Sequence, residues 1–309
     1  MHNQQLLSKQ GEITIQLAKK FLKMKKGDRL PSNHELGKTL KAGIGTIQSA
    51  LKFFEENGDV KLISRGHQGT IIDSINYVTL FKYNDVPWIL GAMPLPYSRL
   101  LEGLATGLYN NFESRGLLLK MSYIRGGQVR INSLITRNMD FVICSKMAAD
   151  IAIKKYPQLK IIYRFGDRTY VGKSGIIFSD NNQTQIEDNM KIGIDEDSFD
   201  HVYLNKIIGK SHNVEFIKLK YSEIFSKLKK REIDATVWSF EEIEDTNFEK
   251  NLVIPNDESL VGAMSSCQEA VIVVTKDHFT NHLLSATIDS EKIKQIQGKV
   301  FKRELIPSY

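Results

Sequence analysis

The sequence predicts a small winged helix-turn-helix domain over residues 1–75, followed by a two-lobed α/β domain over residues 76–309. Three observations predict this. Residues 27–70 read as helix, tight turn, helix and a glycine-tipped hairpin. Positive charge is gathered at the front: residues 1–78 hold 12 Lys+Arg against 7 Asp+Glu, and the rest hold 30 against 29. From about Pro87 onward, strand-like and helix-like segments alternate, and the run occurs twice.

A chain of 309 residues has room for two domains, and 41% hydrophobic with 25% charged residues is ordinary for a globular protein. A net charge of +6 placed almost wholly in the first quarter points to a polyanionic partner there. Cys144 and Cys267 lie far apart and outside any metal-ligand or redox spacing. Both are flanked by strand-like residues, so buried free thiols in a reducing compartment are expected. The opening MHNQQLLSKQGE carries no apolar run, and no window approaches the roughly 18 apolar residues of a membrane span. A cytoplasmic location, with no membrane partner, is expected.

In the first domain a helix is expected from Ser8 to Lys26, with Ile13, Leu17 and Phe21 on one stripe and Gly27 as its stop. Lys19, Lys20, Lys23, Lys25 and Lys26 crowd its last turns, where cations suit the helix dipole. Ser32 and Glu35 form an S-x-x-E capping box for the second helix, in which Leu36 and Leu40 face inward. Ala42-Gly43 makes the turn. The third helix, about Ile44 to Asn57, buries Ile47, Ala50, Leu51 and Phe54 at the i, i+3, i+4, i+7 spacing. A hairpin then runs from Val60 to Ile72, with Arg65 and His67 standing at its glycine-rich tip.

The combination Gly27-Asp28-Arg29-Leu30-Pro31-Ser32, Glu35-Leu36, Thr46-Ile47, Ala50-Leu51, Gly58, Val60, Gly66 and Gly69-Thr70 resembles the winged helix-turn-helix of GntR-family transcription regulators. The resemblance implies a duplex-DNA partner. It departs from the family at its reading head: Ile44 and Gln48 stand where the recognition helix usually has arginines, and His34 stands where an arginine precedes the Glu-Leu pair. Arginine paired with guanine is the commonest specific base contact, worth about 1–3 kcal/mol. The residues left to hold phosphates or bases are His34, Lys38, Thr46, Gln48, Lys52, Arg65 and His67.

Residues 73–86 form an ordered connection, strand or short helix, rather than a flexible linker. Beyond it, strands are expected at 88–92, 117–123, 139–145, 159–165, 174–179, 190–195, 214–219, 233–238 and 267–275, with helices between, which argues for mostly parallel, covered sheets. Each half contains a six-residue segment that opens on Asp, carries a Val and closes on Ser: Asp140-Phe141-Val142-Ile143-Cys144-Ser145 and Asp234-Ala235-Thr236-Val237-Trp238-Ser239. With the strand–helix order, this is similar to the type 2 periplasmic-binding-protein fold. The pairing of the two domains resembles the YhfZ type of regulator.

In such sheets ligands bind beyond the carboxyl ends of the strands, near helix N-termini. The candidates there are Tyr97, Ser98, Gly126, Gly127, Gln128, Ser145, Asp195, Ser198, Phe199, Trp238 and Ser239. Backbone N–H groups at Tyr97-Ser98 and Gly127-Gln128 favour an anionic group, while Ser98 and Ser198 also suit plain N-caps. No G-x-S-x-G, H-E-x-x-H or complete phosphate loop is present, and Gly172-Lys173-Ser174 lacks the earlier glycine. His278 and His282 lack a third ligand, and the acidic run 241–245 reads as a solvated helix face. No cofactor, metal or catalytic residue is expected. The expectation is a ligand-responsive transcription regulator, not an enzyme, acting as a homodimer because one recognition helix reads a half-site. The alternative is a small-molecule binding protein with a degenerate DNA module.

Overall fold

The computed structural model describes residues 8–84, 88–240 and 252–309. The acidic run at 241–245 and Pro87, where the alternation of strands and helices is expected to begin, lie outside the described residues. The chain forms two compact units: Met1–Ile89 with Phe112–Leu119 and Lys276–Ile288, and Leu90–Asn111 with Lys120–Thr275 and Asp289–Tyr309.

The first unit opens with α1 (Lys9–Phe21), capped by the Ser8 hydroxyl on the Gly11 N–H at 3.2 Å. Its buried stripe is Ile13, Leu17, Ala18 and Phe21. The helix ends five residues earlier than Lys26. There the Lys25 N–H binds the Asp28 carboxylate at 2.9 Å, and Gly27, at φ +89°, gives its N–H to the Ile72 carbonyl at 2.8 Å. Those bonds turn the chain into β1 (Arg29–Leu30), so Lys23, Lys25 and Lys26 lie beyond the helix rather than in its last turn.

α2 (Asn33–Leu40) starts on the capping box: Glu35 Oε2 accepts the Ser32 N–H at 2.8 Å, and Ser32 Oγ accepts the Glu35 N–H at 3.3 Å. Such a cap is worth about 1 kcal/mol. Lys41 takes a left-handed turn at φ 54° into α3 (Ile44–Glu56). Ile47, Ala50, Leu51 and Phe54 are buried, and Phe54 meets Phe21 edge-on at 5.6 Å. β2 (Val60–Ser64) and β3 (Thr70–Ile75) form the wing around a single 3-10 turn at Gly66–Gln68. β1 adds a third strand on β3. The connection becomes α4 (Tyr77–Phe81). In the same unit Phe81 stacks on Phe279 at 6.5 Å and Tyr77 on His282 at 5.7 Å.

The second unit is built on two five-stranded sheets. The first contains β4 (Trp88–Met93), β5 (Leu118–Tyr123), β6 (Phe141–Ser145), β7 (Leu159–Arg164) and β13 (Ala270–Thr275), in the order β5-β4-β6-β13-β7. The other contains β8 (Ser174–Phe178), β9 (Lys191–Ile194), β10 (Glu215–Lys218), β11 (Ala235–Ser239) and β12 (Leu252–Val253), in the order β10-β9-β11-β8-β12. The intervening helices are α5 (Arg99–Glu113), α6 (Gly127–Ile135), α7 (Lys146–Lys155), α8 (Phe199–Ile208) and α9 (Tyr221–Lys229).

The sheets are mixed, not mostly parallel. β4 and β6 run parallel, but β13 is antiparallel to both β6 and β7, and β8 is antiparallel to β11. The reason is topological. The chain crosses into the second sheet after β7 and returns through β13, whose six buried residues, five of them apolar, fill the gap between β6 and β7. The return passes through a helix absent from the sequence reading, α10 (Glu258–Gln268). Cys267 therefore sits on a helix, not in a strand; it and Cys144 are both buried free thiols.

α12 (Ser290–Phe301) lies against α5 where Gly103 and Gly107 leave room for its backbone. A methyl group at position 107 would stand 2.9 Å from the Ile293 carbonyl oxygen. Gly107→Ala gains about 1 kcal/mol of helix propensity but forces the helices apart. We expect a net loss of about 1–3 kcal/mol, read as a lower midpoint in denaturant-induced unfolding.

Candidate functional site

Two surfaces gather the residues singled out from the sequence. On the winged helix, His34 and Lys38 are exposed on α2, Gln48 and Lys52 on α3, and Arg65 and His67 at the wing tip; Thr46 is half-buried. Ile44 at the start of α3 is 49% exposed. Gln48 and Lys52 line a groove between α3 and the wing, together with Arg29, Ser32 and Thr70. Arg29 was not anticipated. The short strand β1 sets it opposite Ile71, and the space left by Gly69 receives it: a Cβ there would lie 2.9 Å from the Arg29 Nε. Its signal in the sequence is the two-residue run after Gly27-Asp28, too short to be read as a strand.

The second surface is a cavity between the lobes of the second unit, with about 150 Å³ of internal space. It lies beyond the carboxyl ends of β9 and β11. Of the expected ligand residues, Tyr97, Gly126, Gly127, Asp195, Ser198, Trp238 and Ser239 line it. Four do not. Ser98 Oγ caps α5 by accepting the Leu101 N–H at 3.4 Å. Gln128 turns its amide to Asn132 at 3.4 Å. Phe199 packs into the apolar cluster around Ala92 and Ile131. Ser145 is fully buried; its Oγ accepts the Ala148 N–H at 3.0 Å and donates to Asp200 at 2.7 Å. The backbone donors expected to face an anion are also engaged, Tyr97 N–H with Leu95 at 2.8 Å and Gln128 N–H with Asp197 at 3.3 Å.

The charged lining is what sequence reading missed. Arg125 binds Asp195 at 2.9 Å across the two lobes. Arg130, 4% exposed, donates to the Ile124 carbonyl at 2.7 Å, the Ile143 carbonyl at 3.1 Å and the Tyr170 hydroxyl at 3.0 Å. Asp200 and His201 enter from the first turn of α8. Tyr221 lies flat on Trp238, ring centres 4.5 Å apart. None of these residues sits in a motif; α6, α8 and the crossover after β7 bring them together.

Opposite Gly126, the lobes touch. A Cβ at this glycine would stand 2.9 Å from the Asp197 Cβ, and its φ is +81°.

Burial dominates the electrostatics. It pushes the Asp200 carboxyl up to about 6, against the hydrogen bond from Ser145. Burial also pulls His201 down to about 4. The His201 Nδ1 accepts the Asp195 N–H at 3.0 Å, which leaves the proton on Nε2, facing the Thr236 hydroxyl at 3.1 Å. No group of His, Cys, Asp or Glu able to hold a metal occurs among the described residues.

A histidine held neutral makes stability depend on pH. The unfolded chain takes up its proton near 6.5 and the folded one only near 4. The contribution of about 3 kcal/mol is therefore whole above pH 6.5 and lost as pH falls through 4. An NMR titration should show the His201 ring neutral at pH 5. The buried Asp200 acts oppositely in the window from 3.8 to 6, so unfolding is compared between wild type and Asp200→Asn.

Against known proteins, residues 76–309 match the family described as the YhfZ C-terminal domain, and residues 25–72 match a helix-turn-helix domain. The YhfZ protein of Escherichia coli K12 is 27% identical over 314 residues, 98% of each chain. The crystal structure of YhfZ from Shigella flexneri is 27% identical, covers 75% of this chain and 97% of its own, and superposes with a TM-score of 0.61. The alkanesulfonate-binding protein SsuA from Xanthomonas axonopodis pv. citri, bound to MOPS, shares the fold at 11% identity, with 72% of this chain, 76% of its own and a TM-score of 0.52. The second unit thus has a periplasmic-binding-protein-like fold, and no described helix is long and apolar enough to cross a membrane. By the match across residues 76–309, the chain belongs to the YhfZ C-terminal domain family, with a helix-turn-helix domain in front.

Proposed function

We propose that this chain is a ligand-responsive DNA-binding transcription regulator. The observation that carries the reading is the winged helix itself: α3 packs its apolar stripe inward and leaves Gln48 and Lys52 exposed beside a wing tipped by Arg65 and His67. The pattern of matched residues favours the GntR type. A small molecule bearing an anionic group would enter the cavity between the lobes, where a fold shared with solute-binding proteins supports a binding role. Closure of the lobes would then bias how two chains present their recognition helices. The protein acts as a cytoplasmic homodimer in this reading, without catalytic chemistry.

A second reading is favoured by one residue. Ile44 puts an exposed apolar side chain where a DNA-reading arginine is expected, as in a binding protein whose DNA module has decayed.

Fluorescence anisotropy of the full chain with duplex DNA from its own promoter separates the two. The regulator reading expects binding that weakens linearly in log salt. Replacing Lys52 or Arg65 with Ala should lower that slope by about 1 each, with affinity lost uniformly across sequences. Binding absent at every salt concentration, with the circular dichroism spectrum intact, rules the reading out.

Arg29 gives a separate expectation. Its guanidinium borders the groove beside α3, so Arg29→Ala should weaken DNA binding as much as loss of Lys52, while Arg29→Lys should retain most of it. Equal affinity of Arg29→Ala and wild type would place the contact elsewhere.

A further inference from the structure

The cavity between the lobes holds four charges. Arg125 and Asp195 neutralise one another at 2.9 Å. Arg130 and Asp200 are left. Arg130 is buried, and its three hydrogen bonds go to uncharged oxygens. A guanidinium has five N–H donors, so two are unspent, and a buried cation whose hydrogen bonds all go to neutral groups favours an anionic group. Two further donors bordering the cavity are buried without a partner among the described residues, Arg125 Nε and Trp238 Nε1. A buried donor left unsatisfied costs about 1–3 kcal/mol, which an acceptor-rich ligand would offset.

A simple anion meets an obstacle. Asp200 lines the same cavity and forms no direct ion pair among the described residues; its neighbours are the Ser145 hydroxyl, the Cys267 thiol and the Ala148 N–H, with the Arg130 charge near enough to act on it. The four charges sum to zero, so an anion alone would leave a carboxylate facing it. A ligand carrying both signs satisfies both poles. One wall of the cavity is apolar, formed by the Tyr221–Trp238 stack with Leu101 and Val171. An internal space of about 150 Å³ matches that of a cavity that holds benzene.

We propose that the cavity is a binding site for a small zwitterion, an α-amino acid with a short apolar side chain. Its carboxylate sits on Arg130 and the unspent donors of Arg125 and Trp238, and its ammonium faces Asp200. The inference rests on the reading of this cleft as the effector site and narrows its chemistry: the effector has no net charge.

The test is calorimetric titration of the full chain with each of the L-α-amino acids bearing an apolar side chain. Every ligand found is compared with its N-acetyl derivative, which lacks the ammonium, and with the corresponding amine, which lacks the carboxylate. We expect at least one free amino acid to bind, and both derivatives to bind at least tenfold more weakly. Asp200→Asn should weaken the free amino acid at least tenfold and leave the N-acetyl compound unchanged; it keeps the test open if Arg130→Gln fails to fold. An N-acetyl compound that binds as well as its parent overturns the ammonium subsite. No binding by any amino acid, in protein that still binds promoter DNA, overturns the zwitterion and leaves the regulator reading standing. Loss of DNA binding in wild type removes the regulator reading instead.

Discussion

Arg130 ties the second unit together. From one turn of α6 it reaches the carbonyl of Ile124 after β5, the carbonyl of Ile143 in β6 and the hydroxyl of Tyr170 on the crossover. Three segments far apart in sequence are thereby fixed to one planar group. A buried guanidinium is costly unless hydrogen-bonded, and these bonds meet only part of that cost. The rest of the cavity follows from this: Tyr170 is held in its wall, and the ends of β5 and β6 are held at its floor. The same residue that organises the scaffold also sets the polarity of the space it encloses.

The closed state has its own polar fastening. Arg125 with Asp195 and Ser145 with Asp200 join residues from the two sheets. Both carboxylates belong to the segment from β9 into α8, so one stretch of chain carries the acidic side of the fastening. His201 is braced behind it by the Asp195 N–H and Thr236. In the proposed effector reading, residues that hold the lobes and residues that would hold a ligand are neighbours on one turn, an arrangement through which occupancy would bias closure.

The sequence makes the local features legible and the long-range ones obscure. The Ser32–Glu35 box and the Ile47–Phe54 stripe are written in three- and four-residue spacings, and both are found where expected. The premature end of α1 is not, because it depends on the Gly27 bond to Ile72. The direction of β13 depends on which strands it enters between. At the cavity, residues at or just beyond strand ends, such as Tyr97, Gly126 and Trp238, could be read from the strand pattern. Ser145 ends a strand equally well, yet it caps α7 and braces Asp200 from behind. Arg130 and Asp200 sit inside helices, and only the packing of α6 and α8 turns them toward one space.

Gly126 adds a constraint of a different kind. The hydrogen atom it carries in place of a side chain is what allows the Asp197 backbone to come so near. How far the jaws can shut is therefore fixed by a steric stop one methyl group wide. A bulkier residue there would act as a wedge and enlarge the chamber, so the volume it encloses is set at the rim, away from Arg130 and Asp200.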